Sequence, residues 1–350
     1  MQHRTLGNSG AIVSTFALGT MTFGAEADQA TSHAILDDYV AAGGNFVDTA
    51  DVYGTGVSEE IVGSWLAAHP TDSQQVVLAT KGRFPMGDGP NDLGTSRRHL
   101  GRALDASLRR LGVEQIDLYQ MHAWDAVTPL EETLRFLDDA VRSGKIVYYG
   151  FSNFLGWQLT KAVHVARANG FTAPVTLQPQ YNLLVREVES EIVPACLDAD
   201  MGLLPWSPLA GGWLTGKYRR DTDPTGATRL GDDPERGMEA WRPRNKQERT
   251  WQILNVVAGI ATAKDITSAQ VSLAWLAAQP AVTSVILGAR TTAQLADNLA
   301  CADLVLSADE VARLEQVSRP RLPYPYWHQA ASASERLSPA DLVLLRPYLG

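Results

Sequence analysis

Short apolar runs alternate with amphipathic helical segments along most of this chain, and that alternation restricts its fold more than any other feature. The first run is Phe16-Ala17-Leu18. A predicted helix over 28–42 leads to a strand over 45–48, helix 58–68 to 76–81, helix 96–111 to 116–121, and helix 129–143 to 146–150. Helix 156–169 then leads to 175–178 and helix 189–199 to 203–206. Helices 247–263 and 268–278 lead to 284–287, with helix 291–300 last. Continuous apolar strands between amphipathic helices point to a parallel sheet covered on both faces. Eight such units favour a closed (β/α)8 barrel over an open doubly wound sheet. The open sheet should carry Gly-x-Gly-x-x-Gly after its first strand. Gly54-Thr55-Gly56 has Glu59 at the third-glycine position and Gly87-Asp88-Gly89 has Asp92, so neither fits.

Three segments stand outside the alternation. Residues 3–14, with Gly7 and Gly10 at the turn, read as a β-hairpin. Residues 207–246 form a charged connection rich in Gly and Pro, and a loop that long in a compact domain is usually functional or disordered. It is expected to close over a bound ligand. The tail carries Tyr324, Tyr326 and Trp327 close together, aromatics expected to pack on the barrel. Residues 1–350 thus read as one barrel domain, with core 15–318 and tail 319–350.

The formal charge of −9 argues against a nucleic-acid or anionic-membrane surface, though not against a phosphate held by a local basic cluster. Cys196 and Cys301 lie far apart without metal-ligand spacing, no His-Glu-x-x-His occurs, and no metal is expected. The N-terminus lacks the apolar run of a signal peptide, and no stretch approaches the ~18 apolar residues of a membrane span. A soluble, cytoplasmic protein acting on a small molecule is expected.

The polar residues at the strand ends carry the chemistry. They are Asp48, Lys81, His122, Ser152-Asn153, Gln178, Trp206-Ser207-Pro208 and Gly288-Ala289-Arg290, with Tyr53 five residues after Asp48. In a barrel all of these share one rim, where sites on this fold are built. A lysine cation beside a phenol favours the phenolate and lowers its pKa. Asp48 can pair with Lys81, because a buried ammonium without a partner is costly. His122 can hydrogen-bond a carbonyl oxygen while Tyr53 delivers a proton to it as a hydride reaches the carbon.

Asn45-Phe46-Val47-Asp48-Thr49-Ala50 followed by Tyr53, together with Lys81 and His122, resembles the aldo-keto reductases and their catalytic tetrad. Gly19-Thr20-Met21-Thr22-Phe23-Gly24, Gly150-Phe151-Ser152-Asn153, Gln178-Pro179-Gln180-Tyr181-Asn182, Ser207-Pro208-Leu209 and Gly288-Ala289-Arg290 with Gln294 and Asn298 match in order. Pro205-Trp206-Ser207-Pro208-Leu209 and Gly212-Trp213-Leu214-Thr215-Gly216-Lys217-Tyr218 are most similar to branches related to aryl-alcohol dehydrogenases and potassium-channel β-subunits.

The resemblance implies NADP(H) across the barrel mouth and reduction of an aldehyde or ketone. Gly19, Thr20, Met21, Asp48 and Ser152 belong to the implied cofactor site. Asn153 and Gln178 would hold the carboxamide, and Trp206 would stack on the nicotinamide. Ser207, Pro208, Leu209, Gly211 and Lys217 would cover the pyrophosphate, and Gly288, Arg290, Gln294 and Asn298 would take the adenosine end. No acidic residue lies between Gly288 and Ala296, which favours a 2′-phosphate there. The alternative function is a cofactor-bound redox-sensing or binding subunit with little turnover.

Around Tyr53 and His122 the loops offer Phe23, Phe84, Trp124 and Trp213 as a substrate pocket, with Met21 and Trp241 beside them. Such a mouth favours neutral, hydrophobic carbonyls. Arg83 is the one residue there suited to recruiting an anion.

Overall fold

Side-chain alternation within the strands decides what fills the barrel. In the computed structural model, which describes residues 1–226, 230–231, 233–235 and 237–349, Ala17, Phe46, Ala79, Leu118, Val175, Leu204 and Ile286 form one buried cluster inside the ring of strands. A larger apolar layer, including Trp65, Leu104, Leu134, Leu159 and Trp275, lies between strands and helices. Fully burying one such large apolar side chain contributes about 1.5–3 kcal/mol.

A hairpin of β1 (His3–Thr5) and β2 (Ile12–Ser14) precedes the barrel, as the sequence predicts. Its Leu6 and Val13 join the interior cluster and close that end of the barrel. Gly7 sits at a φ of 56°, and a Cβ there would lie 2.0 Å from the Val175 carbonyl oxygen, so only glycine fits. Arg4 ties the hairpin down by donating to the carbonyls of Ala277 and Val282 at 2.9 and 2.6 Å.

The barrel strands are β3 (Phe16–Gly19), β4 (Phe46–Asp48), β5 (Val77–Gly82), β6 (Ile116–Met121), β7 (Ile146–Ser152), β8 (Thr176–Gln178), β9 (Gly202–Leu203) and β10 (Val285–Gly288). They pair in parallel in chain order, with β10 returning to β3. Thr283 N donates to Leu203 O at 2.9 Å and Ile286 N to Pro205 O at 2.9 Å, which closes the ring. The fold is a (β/α)8 barrel. Regular β9 is shorter than the predicted 203–206 because Pro205 has no N–H for the ladder. Pairing nevertheless continues to Trp206, whose N–H reaches Pro179 O at 3.0 Å.

The two remaining segments are both tied to the barrel, the tail as expected. Within 207–246, Ala210–Thr215 forms a 3-10 turn and Trp241–Asn245 a short helix. Trp213 stacks on Trp241 at 4.8 Å, with Tyr218 and Trp251 edge-on, which fastens both ends of the connection to the barrel. Asp232 and Arg236 of its charged run lie outside the described residues. The tail docks, but not through Tyr324 or Trp327. Leu344 and Leu345 of helix Pro339–Leu345 are buried, whereas Tyr324 is 74% exposed and Trp327 53% exposed. Two adjacent leucines on a capped helix present a compact apolar face to helix Val188–Asp198, and the Tyr324 and Trp327 rings lie mainly against each other, 6.1 Å apart.

Candidate active site

Lys81 is completely buried near the end of β5, and its ammonium has three acceptors. Nζ donates to Asp48 Oδ2 at 2.6 Å, to the Thr49 carbonyl at 2.8 Å and to the Tyr53 hydroxyl at 3.4 Å. That set saturates an –NH3+ group, which is what allows a charge to sit where water does not reach. The other carboxylate oxygen of Asp48 accepts from Gln178 Nε2 at 3.0 Å and Gln120 Nε2 at 3.2 Å. Gln120 was missed in the sequence, yet it shares a strand face with Leu118 and the succeeding His122, and a lone polar residue at that spacing is a usable signal.

Tyr53 enters from a 3-10 turn, Tyr53–Gly56, and stands 5.8 Å from the His122 ring, edge to face. The structure therefore brings together all four residues of the expected tetrad. The direction of the phenol's pKa differs from the sequence reading. Burial pushes it up and the Asp48 carboxylate adds to that, outweighing the downward pull of Lys81. Tyr53 thus keeps its proton at neutral pH. For Lys81, burial favours the neutral amine, but Asp48 and Tyr53 more than offset it and raise the pKa above its ordinary value. The His122 imidazole is held well below its usual range by burial and by the cations of Lys81 and Arg83. It is neutral, with Nδ1 buried and without a hydrogen-bond partner.

Four of the cofactor candidates are linked directly. Ser152 Oγ donates to the Gln178 carbonyl at 2.9 Å, and Asn153 Nδ2 donates to Ser152 Oγ and the His122 carbonyl, both at 3.0 Å. Trp206 Nε1 donates to Asn153 Oδ1 at 3.1 Å. Asn153 holds a φ of 56°, which turns the chain out of β7 toward Trp206. Thr20 bonds Ser58 and the Asp48 backbone, Gly19 is buried, and Met21 is exposed at the rim. Ser207, Leu209 and Gly211 are partly exposed, Pro208 is buried, and the Lys217 ammonium lies over the Tyr218 ring at 5.2 Å. At the far side Gly288 is open, Arg290 N donates to Gln294 Oε1 at 3.0 Å, and Asn298 is buried. Arg290 also pairs with Glu26, a residue the sequence reading passed over.

The expected substrate pocket divides. Phe84 lies 4.6 Å from the His122 ring, and Trp124 packs edge-on against Phe154 and the half-exposed Trp157. Phe23 and Trp213, by contrast, are fully buried, Trp213 donating its indole N–H to the Glu239 carbonyl at 3.0 Å. Both belong to the core and have no surface to offer a ligand. Aromatic residues in rim loops look alike in sequence whether they face the mouth or the layer beneath it. Asp51 is a further surprise. It is 1% exposed, three residues from Asp48, and neither carboxylate oxygen has a hydrogen-bond partner.

The sequence profile of the Aldo/keto reductase family matches residues 15–319. The chain is 37% identical to the protein named "Uncharacterized oxidoreductase YrpG" of Bacillus subtilis, over 91% of this chain and 96% of that one. It is 35% identical to the "Probable voltage-gated potassium channel subunit beta" of Arabidopsis thaliana, over 93% of this chain and all of the plant protein. A versiconal hemiacetal acetate reductase of Aspergillus parasiticus is 32% identical over 93% of this chain and 99% of its own length. With that profile match over most of its length, eight parallel strands and a Lys–Asp–Tyr–His cluster on their rim, the chain belongs to the aldo/keto reductase family.

Proposed function

We propose that this protein reduces an aldehyde or ketone to the alcohol with NADPH, and that Tyr53 is the proton donor. The observation that carries the reading is the buried Lys81 ammonium, set between Asp48 at 2.6 Å and the Tyr53 hydroxyl at 3.4 Å. A phenol held protonated by burial, with a cation beside it to receive the growing negative charge, is a general acid ready to donate. Neutral His122 orients the carbonyl oxygen toward Tyr53. Asp48, fixed by Gln120 and Gln178, keeps Lys81 charged and in place.

The residues on the rim fit a nicotinamide dinucleotide. The Trp206 indole N–H is already bonded to Asn153, so the partly exposed ring itself is the surface left for a flat partner. The donors of Ser152, Asn153 and Gln178 are engaged with one another, with His122 and with Asp48, which leaves Asn153 Oδ1 and Gln178 Oε1 to accept from a carboxamide NH2. Arg290, at the start of helix Thr292–Leu299 and next to open Gly288, supplies a fork for the 2′-phosphate. When bound, the dihydronicotinamide supplies the hydride. The test follows loss of NADPH absorbance with a panel of aldehydes and ketones. Turnover of none of them would defeat the reading. The likeness to a potassium-channel β-subunit supports a second reading, a cofactor-binding subunit with little turnover. Tight NADPH binding without carbonyl turnover would select it.

A further inference from the structure

Arg83 follows the last residue of β5 directly and lies two residues beyond Lys81. Its φ is 136°, a region that residues with a Cβ rarely adopt and that persists only where the surroundings enforce it. The enforcing contacts are present. Its carbonyl accepts from Gly94 N at 2.9 Å, its Nη2 donates to the Trp124 carbonyl at 3.3 Å, and its guanidinium lies over the Phe84 ring at 5.2 Å. The other face of this arrangement is the site itself, because Phe84 is 4.6 Å from the His122 ring. The cation therefore stands one aromatic ring away from the imidazole that faces the substrate.

Little of its fork is used. Nη1 makes no hydrogen bond among the described residues and is not enclosed, Nε is enclosed without a partner, and no carboxylate oxygen of those residues lies within 4.0 Å of the guanidinium. Two of the acids in the adjoining loops are engaged elsewhere, and the third, Asp88, is exposed to solvent. Asp92 takes Arg102 and the Gly89 amide, and Asp125 takes the amides of Thr95 and Val127 and the Thr128 hydroxyl. A half-buried arginine with a terminal nitrogen uncommitted beside the site is disposed to take a carboxylate, which its two terminal nitrogens can meet as a bidentate pair. A chain with a formal charge of −9 gives an anionic substrate no long-range attraction, so a local anchor is what such a substrate needs.

We propose that Arg83 is the anchor for a carboxylate on the substrate, and that the favoured substrates are oxo compounds with an apolar or aromatic body and a carboxylate at the end away from the carbonyl. Phe84, Trp124 and Trp157 contact the body, and Arg83 replaces the preference for wholly neutral carbonyls expected from the sequence. This inference rests on the carbonyl-reductase reading above.

The test measures kcat/KM at saturating NADPH for benzaldehyde, 3-carboxybenzaldehyde, 4-carboxybenzaldehyde and methyl 4-formylbenzoate. The ester controls for size, and benzaldehyde for ring electronics, because a carboxylate anion withdraws little from the ring. At least one carboxylated aldehyde is expected to exceed both neutral ones by about 10- to 100-fold, the range for a charge-assisted bidentate contact. In Arg83→Met the ratio of carboxylated to neutral substrate should fall to near one, and in Arg83→Lys it should fall part of the way. Turnover of the neutral aldehydes with no preference for either carboxylated one overturns the anchor and leaves carbonyl reduction standing, as does a preference that survives in Arg83→Met. Turnover of none of the four overturns the anchor, and the wider panel of aldehydes and ketones above then decides separately whether carbonyl reduction stands. Should Arg83→Met fail to fold, the wild-type ratio and Arg83→Lys decide.

Discussion

The Arg290 guanidinium lies 3.5 Å from the carboxylate of Glu26, which reaches it from the loop between β3 and helix Gln29–Ala41. The cation assigned to the 2′-phosphate thus has an acid as its partner before any phosphate arrives. Both side chains are about a quarter exposed, so the pair is weak and exchangeable. A 2′-phosphate must compete with Glu26, while a free ribose hydroxyl need not. Glu26→Gln should therefore tighten NADPH by several-fold and leave NADH nearly unchanged. Arg290→Ala should weaken NADPH by about 10- to 100-fold and again spare NADH. Fluorescence titration of the four protein–cofactor pairs checks both. Equal effects on the two cofactors would show that this pair does not read the phosphate.

Two substitutions separate the proposed proton donor, Tyr53, from the Lys81–Asp48 pair beside it. Tyr53→Phe removes one hydroxyl, leaves the Lys81–Asp48 pair at 2.6 Å, and should lower single-turnover rates by about 10²–10⁴ with little change in NADPH affinity or melting temperature. Lys81→Met strands Asp48 in a site where it is 2% exposed, so it should destabilise the fold by about 3–5 kcal/mol as well as abolish turnover. Near-normal turnover of Tyr53→Phe would sink its assignment.

The contrast between what was legible in the sequence and what was not has a physical basis. Asp48, Lys81, His122 and Gln178 were legible because strand ends of a barrel converge, and polar residues in otherwise apolar runs mark the rim. Glu26 was not, since its partner lies at the opposite end of the chain and meets it only through the β3–β10 pairing. Phe23 and Trp213 were misplaced because composition fixes that an aromatic is buried somewhere and leaves its neighbours to tertiary packing. The net direction of Tyr53's pKa needed the degree of burial, which no local pattern supplies.

The connection over 207–246 is anchored by Trp213, fully buried and stacked 4.8 Å from Trp241. Trp213→Ala should cost about 3–5 kcal/mol by opening a cavity in that aromatic cluster. If the segment also closes over NADPH, cleavage in the exposed stretch around Arg219–Arg220 should slow when cofactor is added, and the slowing should be lost in the variant. Limited proteolysis with and without NADPH reads both. Equal wild-type rates in the two conditions would show that the segment does not respond to cofactor.

Asp51 gives the protein a pH dependence that its surface would not. The groups around it are Glu59, which accepts from Thr80 at 2.6 Å and pairs with Arg110 at 2.6 Å, the Lys81 and Tyr53 pair above, and Tyr119, whose buried hydroxyl has no partner. Burial, and then the Glu59 charge, push the Asp51 carboxyl up from 3.8 to about 7, against the pull of Arg110 and Lys81. The folded state therefore holds this proton more tightly than the unfolded chain. Its stabilising effect is fully present below about pH 4, is lost progressively as pH rises toward 7, and is gone above that. At about 1.4 kcal/mol per pKa unit the whole span is worth roughly 4 kcal/mol. Asp51→Asn keeps the shape and cannot ionise. Its stability relative to wild type should rise by about 2–3 kcal/mol between pH ~5 and pH ~8, most of it before pH ~7. Urea unfolding of both proteins across that range measures the difference directly. A gap that stays constant with pH would mean that Asp51 is ionised throughout, held by Arg110 and Lys81 more strongly than its burial opposes.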